Sequence, residues 1–180
     1  MRWAVVTLLI VGVFALQTAP ALAARQDDRD IVGRVLDLTN AERQQAGLGP
    51  LALSPQLNDA AQGYSRVLAS GACFEHTCGP VPKFEDRAGQ AGYKGWNALG
   101  ENIAAGYPTP EAVVVGWMAS AGHRANILSP KFTEMGIGMV SGGPYGMYWT
   151  QEFGSPPGAA LQFAPPPRMD EDVVPESGSG

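Results

Sequence analysis

The sequence predicts an α+β domain, and three observations lead to that prediction. Apolar residues at helical spacing fill most of the first half of the chain. Apolar and small residues alternate in two runs near its end, and a glycine-bounded extended segment, residues 98–106, precedes them. Helices gathered early and strands gathered late favour a layered α+β domain over a parallel sheet built from βαβ units. Residues 27–154 have the size of one domain with one core.

Four helices and a hairpin are predicted from periodicity and from residues that favour the ends of elements. The residues predicted to begin or end the helices are Asp27 or Asp28, Gly47, Ser54, Gly71, Pro82 and Thr109. The late runs "MGIGMV" and "YGMYWTQEF" surround an "SGGP" turn, which predicts a β-hairpin. Most of the hairpin's aromatic residues are expected in the core, with one or two available to a ligand.

The first residues predict export. A short positive start precedes an apolar run of about 13 residues, and Ala21 and Ala23 have the spacing of a signal-peptidase site. The run is shorter than the ~20 residues of a membrane span, so residues 1–23 are interpreted as a signal peptide, with an uncleaved anchor as the alternative. The mature protein is then expected to be secreted, in the extracellular space or the periplasm or envelope, without a membrane span.

Composition and charge limit the possible partners. The formal net charge is −5, and no basic cluster is interleaved with aromatic residues, so nucleic acid is not an expected partner. No repeat, heptad or phosphate-binding glycine loop is present. Residues 155–180 are rich in proline, glycine and acidic residues and have few apolar anchors, which predicts a disordered tail.

The stretch "SGACFEHTC" contains the only two cysteines, Cys73 and Cys78, with His76 between them. In an exported protein the two cysteines are expected to form a disulfide, and closing so small a loop contributes about 2 kcal/mol. A metal site built from Cys73, His76 and Cys78 is the alternative, but an oxidising compartment removes the thiolates that such a site needs. The disulfide would fix the loop and with it the direction of the His76 ring.

The tripeptide "GEN" places Glu101 in an otherwise apolar segment. On a strand Glu101 shares a face with Leu99 and Ile103, so its carboxylate is expected to point into the core. A buried carboxylate must be protonated or paired, and the two histidines, His76 and His123, are the candidate partners. The alternative is that Glu101 lies solvated at the mouth of a cleft.

The second histidine, His123, lies in "GHRANIL" after the fourth helix. A lone histidine at such a place is more often structural than catalytic. Arg124 and Asn126 are expected to be structural hydrogen-bonding residues of the following turn. Ser120 is close to His123 in the chain, but chain proximity alone does not establish a nucleophile–base pair.

Four motifs occur together in one order: "SGACFEHT", "ALGENIAAGY", "VVGWMASAGHRANIL" and "FTEMGIGM" followed by "YWTQEFG". In this order they resemble the superfamily of cysteine-rich secretory proteins, antigen 5 and pathogenesis-related proteins, the CAP or SCP domain, in its short bacterial branch. The resemblance covers residues 31–154. It implies a three-layer α-β-α sandwich, with a small antiparallel sheet between helical layers and a cleft on one side.

The resemblance also implies a site. His76 and His123 match the two histidines that line the family's cleft, and Glu101 matches the acid of its "GEN" motif. Ser120 stands where we place the family's other acid, which leaves a three-residue site. Two imidazoles and a carboxylate are a common ligand set for zinc, so His76, His123 and Glu101 are the candidate ligands of zinc or another divalent cation.

Three functions are compatible with the resemblance. The first is a non-enzymatic binding module for a lipid, a sterol or a cell-envelope polysaccharide, favoured because no convincing nucleophile–base pair is present. The second is a metal-assisted hydrolase acting on water through the same residues. The third is a structural protein of the cell envelope. A fold shared by many functions does not decide among them.

Overall fold

The structure, a computed structural model, describes residues 19–161, with side chains from residue 29 onward. The predicted signal peptide and the predicted disordered tail fall largely outside the described residues. The elements in chain order are α1 (Ala19–Gln45), β1 (Ala52–Leu53), α2 (Pro55–Ala69), α3 (Phe84–Gln90), β2 (Ala98–Ala105), α4 (Pro110–Ala119), α5 (Ala121–Ile127), β3 (Glu134–Gly142) and β4 (Gly146–Ser155). None of the helices within residues 19–161 has the length and apolar content needed to cross a membrane.

Two helices, α2 and α4, begin directly after the capping residues that the sequence predicts. Ser54 accepts a hydrogen bond from the N–H of Leu57 at 3.4 Å at the start of α2, and Thr109 accepts one from the N–H of Ala112 at 3.2 Å at the start of α4. A proline follows each cap, at a position where its missing N–H costs nothing. These two predicted helix starts are confirmed.

Three elements differ from the prediction. Helix α1 begins at Ala19 rather than near residue 27, because the intervening alanine, arginine and glutamine residues are good helix formers. Helix α5 occupies the segment around His123, for which the sequence predicts neither a helix nor a strand. Strand β1 has only two residues, too few to give a periodic pattern, and it pairs in parallel with β3.

The sheet has the strand order β1-β3-β4-β2. The β3–β4 hairpin is antiparallel, as predicted, and β2 pairs antiparallel with β4. The β2–β4 register places Glu101 directly opposite Glu152. Residues of odd number on β2 therefore share a face with residues of even number on β4.

Helices cover both faces of the sheet. On one face α2 lies against β3, where Gly136 and Gly138 bring the backbones so close that a Cβ at Gly138 would lie 2.2 Å from the carbonyl carbon of Ala61. On the other face α1, α4 and α5 enclose the main core, whose members include Val35, Val113, Trp117, Ile127, Trp149 and Phe153. The three-layer α-β-α sandwich that the resemblance implied is confirmed.

Arg43 connects α1 to the segment that carries α5. Its fully buried guanidinium donates to the carbonyl oxygens of Ile127 and Ser129, both at 2.8 Å, and to those of Gly49 at 2.9 Å and Phe132 at 3.3 Å. Burial lowers the pKa of Arg43 to about 10, so the side chain remains charged near neutral pH. These bonds fix the end of α5 relative to the sheet.

Candidate functional site

The predicted disulfide joins Cys73 and Cys78, with their Cα atoms 5.7 Å apart. Both sulfurs are thereby used, so the alternative metal site built on the two thiolates does not form in this structure. The Tyr64 hydroxyl of α2 donates to the Glu75 carbonyl at 2.5 Å and lies 3.4 Å from the Cys78 Sγ. The loop that carries His76 is thus closed covalently and attached to α2.

Within the site, His76 pairs with Glu101. Its Nδ1 lies 2.7 Å from the Glu101 Oε1, and this hydrogen bond raises the pKa of His76 against the smaller opposing effect of burial. The Glu101 side chain is 1% exposed, whereas the His76 side chain is 52% exposed. Glu101 is therefore a buried, paired carboxylate and not a solvated group at a cleft mouth.

Arg87 of α3 is the second partner of Glu101. Its Nη2 donates to the Glu101 Oε2, and its Nη1 donates to the carbonyl oxygens of Pro82 at 2.7 Å and His76 at 3.3 Å. The guanidinium also lies over the Tyr64 ring, 3.4 Å from its centroid. Arg87 therefore holds both the carboxylate and the backbone of the histidine loop. Sequence reasoning missed it, because the search for partners of Glu101 considered histidines alone.

Glu152 adds a second buried carboxyl group next to Glu101. It is 0% exposed, its Oε1 lies 3.6 Å from the Arg87 Nη2, and neither of its oxygens has a hydrogen-bond partner within the described residues. Burial, and then the charge of Glu101, raise the pKa of Glu152 well above its ordinary value despite Arg87. The buried site therefore favours the neutral, protonated form of Glu152. An acidic residue inside the predicted strand of β4 is the sequence feature that marks Glu152.

We expect Glu152→Gln to stabilise the protein increasingly as pH rises. In the parent the pKa of Glu152 is raised in the folded state. Its contribution to the free energy of unfolding is therefore fully present below the pKa of the unfolded state, and it is lost as pH rises through the folded-state pKa. The glutamine has nearly the same shape and no such dependence, so its gain in free energy of unfolding should grow by about 1 kcal/mol or more between pH 5 and pH 8. Urea denaturation of parent and variant at both pH values measures this difference in the free energy of unfolding. Asp59→Asn, on the exposed side of α2, is the matched control. An equal gain at both pH values would contradict the raised pKa of Glu152.

His123 lies on α5, which is attached to β2 through two asparagines. The Asn126 Nδ2 donates to the Glu101 carbonyl at 3.0 Å and to the Asn102 Oδ1 at 2.9 Å, and the Asn102 Nδ2 donates to the His123 carbonyl at 3.2 Å. Arg124 donates to the Met118 carbonyl at 3.1 Å. Asn126 and Arg124 are therefore structural hydrogen-bonding residues, but their side chains bond β2 and α4 and not the following turn as predicted.

The charge of His76 has an electrostatic effect on His123. Burial lowers the pKa of His123, and the charge of His76 lowers it further. The structure thus pairs His76 with Glu101, and two asparagine side chains attach the helix of His123 to the same strand, β2. Ser120 lies between α4 and α5 and makes no capping hydrogen bond with its side chain.

The carboxylate of Glu101 is occupied by other partners. One of its oxygens bonds His76 and the other bonds Arg87. Within residues 29–161 no group of three or more His, Cys, Asp or Glu side chains is arranged as a metal site. The Nε2 of His76 points away from Glu101 by the geometry of the imidazole ring, so it is the atom left for a ligand.

An apolar cavity of about 260 Å³ opens beside His123. Gly116 makes room for one wall, since a Cβ at this position would lie 2.5 Å from the Tyr107 ring. The residues that line the cavity are Phe74, Ile103, Ala104, Ala105, Tyr107, Gly116, Trp117 and His123. Two larger hollows, of about 460 Å³ and 360 Å³, are lined by residues of α1 and of the segments near it. Neither is lined by a histidine or by the paired charged residues, so the smaller cavity is the better candidate.

The hairpin aromatics divide as the sequence analysis expected. Tyr148, Trp149 and Phe153 are buried in the core, and Tyr145 is exposed. The Tyr145 ring lies 6.3 Å from that of Phe74, itself exposed on the disulfide loop. An exposed aromatic pair therefore stands beside the cavity.

Comparison with known proteins agrees with this architecture. The family model described as the cysteine-rich secretory protein family, CAP, matches residues 36–153. The uncharacterized protein YkwD of Bacillus subtilis is 42% identical over 120 residues, which are 67% of this chain and 45% of YkwD. The uncharacterized membrane protein YlbC of the same organism is 32% identical over 120 residues, 67% of this chain and 33% of YlbC. The chain thus matches less than half the length of either relative.

Solved structures show the same fold. An extracellular protein containing an SCP domain from Bacillus anthracis superimposes with a TM-score of 0.65 and 31% identity, over 71% of this chain and 41% of that one. An outer surface protein of Borrelia burgdorferi gives a TM-score of 0.61 at 18% identity, over 74% of this chain and 95% of that one, a likeness of fold alone. The family model and the helical layers around a four-stranded sheet agree, and the chain belongs to the cysteine-rich secretory protein family, CAP.

Proposed function

We propose that the protein is a secreted, non-enzymatic binding domain whose cleft beside His76 and His123 holds part of a lipid, a sterol or a cell-envelope polysaccharide. The observation that supports this most is the apolar cavity that opens beside His123. Within residues 29–161 neither imidazole ring is hydrogen-bonded to a hydroxyl or thiol group, which an activated nucleophile would require. The extracellular SCP-domain structure from Bacillus anthracis supports the location outside the cell.

The size and lining of the cavity limit what enters it. Its volume of about 260 Å³ is slightly below the ~300–1,000 Å³ of typical small-molecule pockets. It therefore accommodates one ring or a short stretch of acyl chain, with the remainder of the ligand lying across Phe74 and Tyr145. Both side chains are already exposed and offer apolar area without rearrangement of the core.

Binding is tested by native mass spectrometry of the purified protein with palmitate, cholesterol and a soluble peptidoglycan fragment. We expect one of the three to bind, and Phe74→Ala to weaken that binding about tenfold by removing apolar contact area. Val115→Ala is the matched control, since Val115 is exposed on α4 but does not line the cavity. Failure of all three ligands to bind contradicts the proposal.

We further propose that His76 and His123 bind zinc or another divalent cation. Glu101, predicted as a third ligand, has both oxygens hydrogen-bonded, and in this proposal it orients His76 through the Nδ1 bond. The lowered pKa of His123 keeps that ring neutral, the form that binds a metal. A bound ion would offer an open coordination position to an oxygen atom of the ligand.

We expect zinc binding to strengthen as pH rises. Because the pKa of His76 is raised, a proton competes with the metal for this ring at pH values where an ordinary histidine is already neutral. Isothermal calorimetry should therefore show affinity at least about tenfold higher at pH 8 than at pH 6. The double variant His76→Ala, His123→Ala should lose this binding, and equal heats from parent and double variant would contradict the proposal.

A hydrolase is the second candidate, and the His76–Glu101 pair favours it. A carboxylate 2.7 Å from an imidazole nitrogen is the arrangement that orients a general base. Casein, peptidoglycan and ester substrates, offered with and without zinc, test this function, with His76→Ala as control. Turnover that disappears in the variant would replace the binding proposal with the enzymatic one.

A further inference from the structure

We propose that Thr39 and Gln151 are positioning residues for His123, and that they act through a buried series of side-chain hydrogen bonds that runs from α1 across the sheet to α5. Thr39, Gln151, Asn102 and Asn126 form this series, which we call the amide network. Neither Thr39 nor Gln151 lines the cavity, and both are 0% exposed. This inference rests on the proposed function, in which the cavity beside His123 binds the ligand.

The hydrogen bonds of the amide network all run in one direction. The Asn126 Nδ2 donates to the Asn102 Oδ1 at 2.9 Å, and the Asn102 Nδ2 donates to the Gln151 Oε1 at 3.1 Å. The Gln151 Nε2 then donates to the Thr39 Oγ1 at 3.1 Å. Exchanging nitrogen and oxygen in the Asn102 amide would oppose donor to donor at Asn126 and acceptor to acceptor at Gln151. The bonds on its two sides therefore fix the orientation of this amide.

The fixed amide of Asn102 holds the backbone of His123. Its Nδ2 also donates to the His123 carbonyl oxygen at 3.2 Å. Asn102 and Gln151 lie directly opposite each other in the β2–β4 register, so their side chains stand on the same face of the sheet. Gln151, held in turn by Thr39, therefore determines where Asn102 holds the first turn of α5.

Helix α5 depends on such contacts, because its own sequence stabilises it weakly. It has only seven residues, Ser120 at its start makes no side-chain capping bond, and Gly122 lowers the helix propensity of the first turn. Arg43 of α1 holds the other end of the helix. The bond that passes through Gln151 reaches the turn that carries His123, so the two ends of α5 are attached to α1 by separate routes.

The surroundings of the amide network indicate a role beyond stability. Gln151 and Thr39 lie on the face of the sheet whose core contains Val35, Trp149 and Phe153. Replacing both partners of a buried hydrogen bond by apolar groups of the same shape can be nearly neutral for stability. An apolar pair would lack direction, however, since a hydrogen bond orients the groups that it joins and apolar burial does not.

NMR of the histidine side chains in the ligand-free protein tests this role. We expect Gln151→Met to shift the imidazole signals of His123 and to leave those of His76 at their parent positions. His76 is held separately, by the bond of its Nδ1 to Glu101 and by the bond of its carbonyl to Arg87. A general loosening of the fold would move the signals of both histidines.

Two variants of Thr39 separate hydrogen bonding from packing. Thr39→Val keeps the shape of the side chain and removes the hydroxyl, whereas Thr39→Ser keeps the hydroxyl. We expect Thr39→Val to move the His123 signals in the same direction as Gln151→Met, and Thr39→Ser to leave them near their parent positions. Ser65→Ala is the matched control, because it removes a buried 2.9 Å bond to Thr150, the neighbour of Gln151 on β4, on the side of the sheet that faces α2. It should leave the His123 signals in place.

Ligand affinity gives the second readout. In the mass-spectrometric assay with palmitate, cholesterol and the peptidoglycan fragment, Gln151→Met should weaken the binding seen with the parent about tenfold, and Ser65→Ala should not. Unchanged His123 signals in both Gln151→Met and Thr39→Val, or equal shifts in Ser65→Ala, would overturn the proposal. The signals are recorded without ligand, so they decide the positioning role even if the parent binds none of the three ligands, the result that contradicts the proposed function.

Discussion

Arg87→Met should lower the free energy of unfolding by about 3–5 kcal/mol, the cost of removing one partner from a buried ion pair. In the parent the guanidinium bonds Glu101, lies 3.6 Å from Glu152 and stacks on Tyr64. Methionine fills much of the same volume but leaves two buried carboxyl groups without the cation that faces both. The hydrogen bonds to the Pro82 and His76 carbonyls are lost as well.

Denaturation in guanidinium chloride at pH 7 measures this loss, with Arg66→Met on the exposed surface of α2 as the matched control. The double variant Arg87→Met, Glu152→Gln should recover part of the loss, since it removes one of the two carboxyl groups. A loss below about 1 kcal/mol for Arg87→Met would show that the pair contributes no more than a surface ion pair.

The second large effect is expected from Gly138→Ala. The added methyl carbon would lie 2.2 Å from the Ala61 carbonyl carbon and 2.3 Å from the Ala61 oxygen, both of them backbone atoms of α2. No rotation of a side chain relieves such an overlap, so α2 must move away from β3 as a unit. We expect a loss of about 3 kcal/mol or more, at the upper end of overpacking effects.

Gly63→Ala provides the matched control for this prediction, because it adds the same methyl group to the exposed side of α2, where no atom beyond the local helix backbone lies within 4 Å. In a helix interior this change should stabilise the protein by about 0.5–1 kcal/mol. Thermal and chemical denaturation of the two variants should therefore differ in sign. Similar stability of both would contradict the close contact between α2 and β3.

Local patterns were sufficient to predict the elements whose causes are local. The caps at Ser54 and Thr109, the β3–β4 hairpin and the Cys73–Cys78 disulfide all follow from residues near one another in the chain. The pairing of Glu101 with a histidine also followed, because a buried carboxylate requires a partner and few candidates were available. The resemblance to a family supplied the layer arrangement, which periodicity alone does not define.

What the sequence did not reveal depends on tertiary contacts. Arg87 is buried by Tyr64 and the disulfide loop, and nothing within the seven residues of α3 marks it as a core residue. Glu152 was not predicted, because the resemblance implies a second acid at the position of Ser120, whereas the second carboxyl group comes from the neighbouring strand. Helix α5 is short, and its end is stabilised by Arg43 from α1, 84 residues earlier than the Ile127 carbonyl it binds.

The chain contains two histidines, and both belong to the proposed site: His123 lines the cavity, and His76 pairs with Glu101. Every histidine side-chain signal in a proton or carbon NMR spectrum of the protein therefore comes from His76 or His123, the two residues proposed to bind a cation. Titration of these two signals reports on protonation and occupancy without labelling strategies, tags or added probes. Because the chain has only two histidines, their signals can be assigned and followed directly.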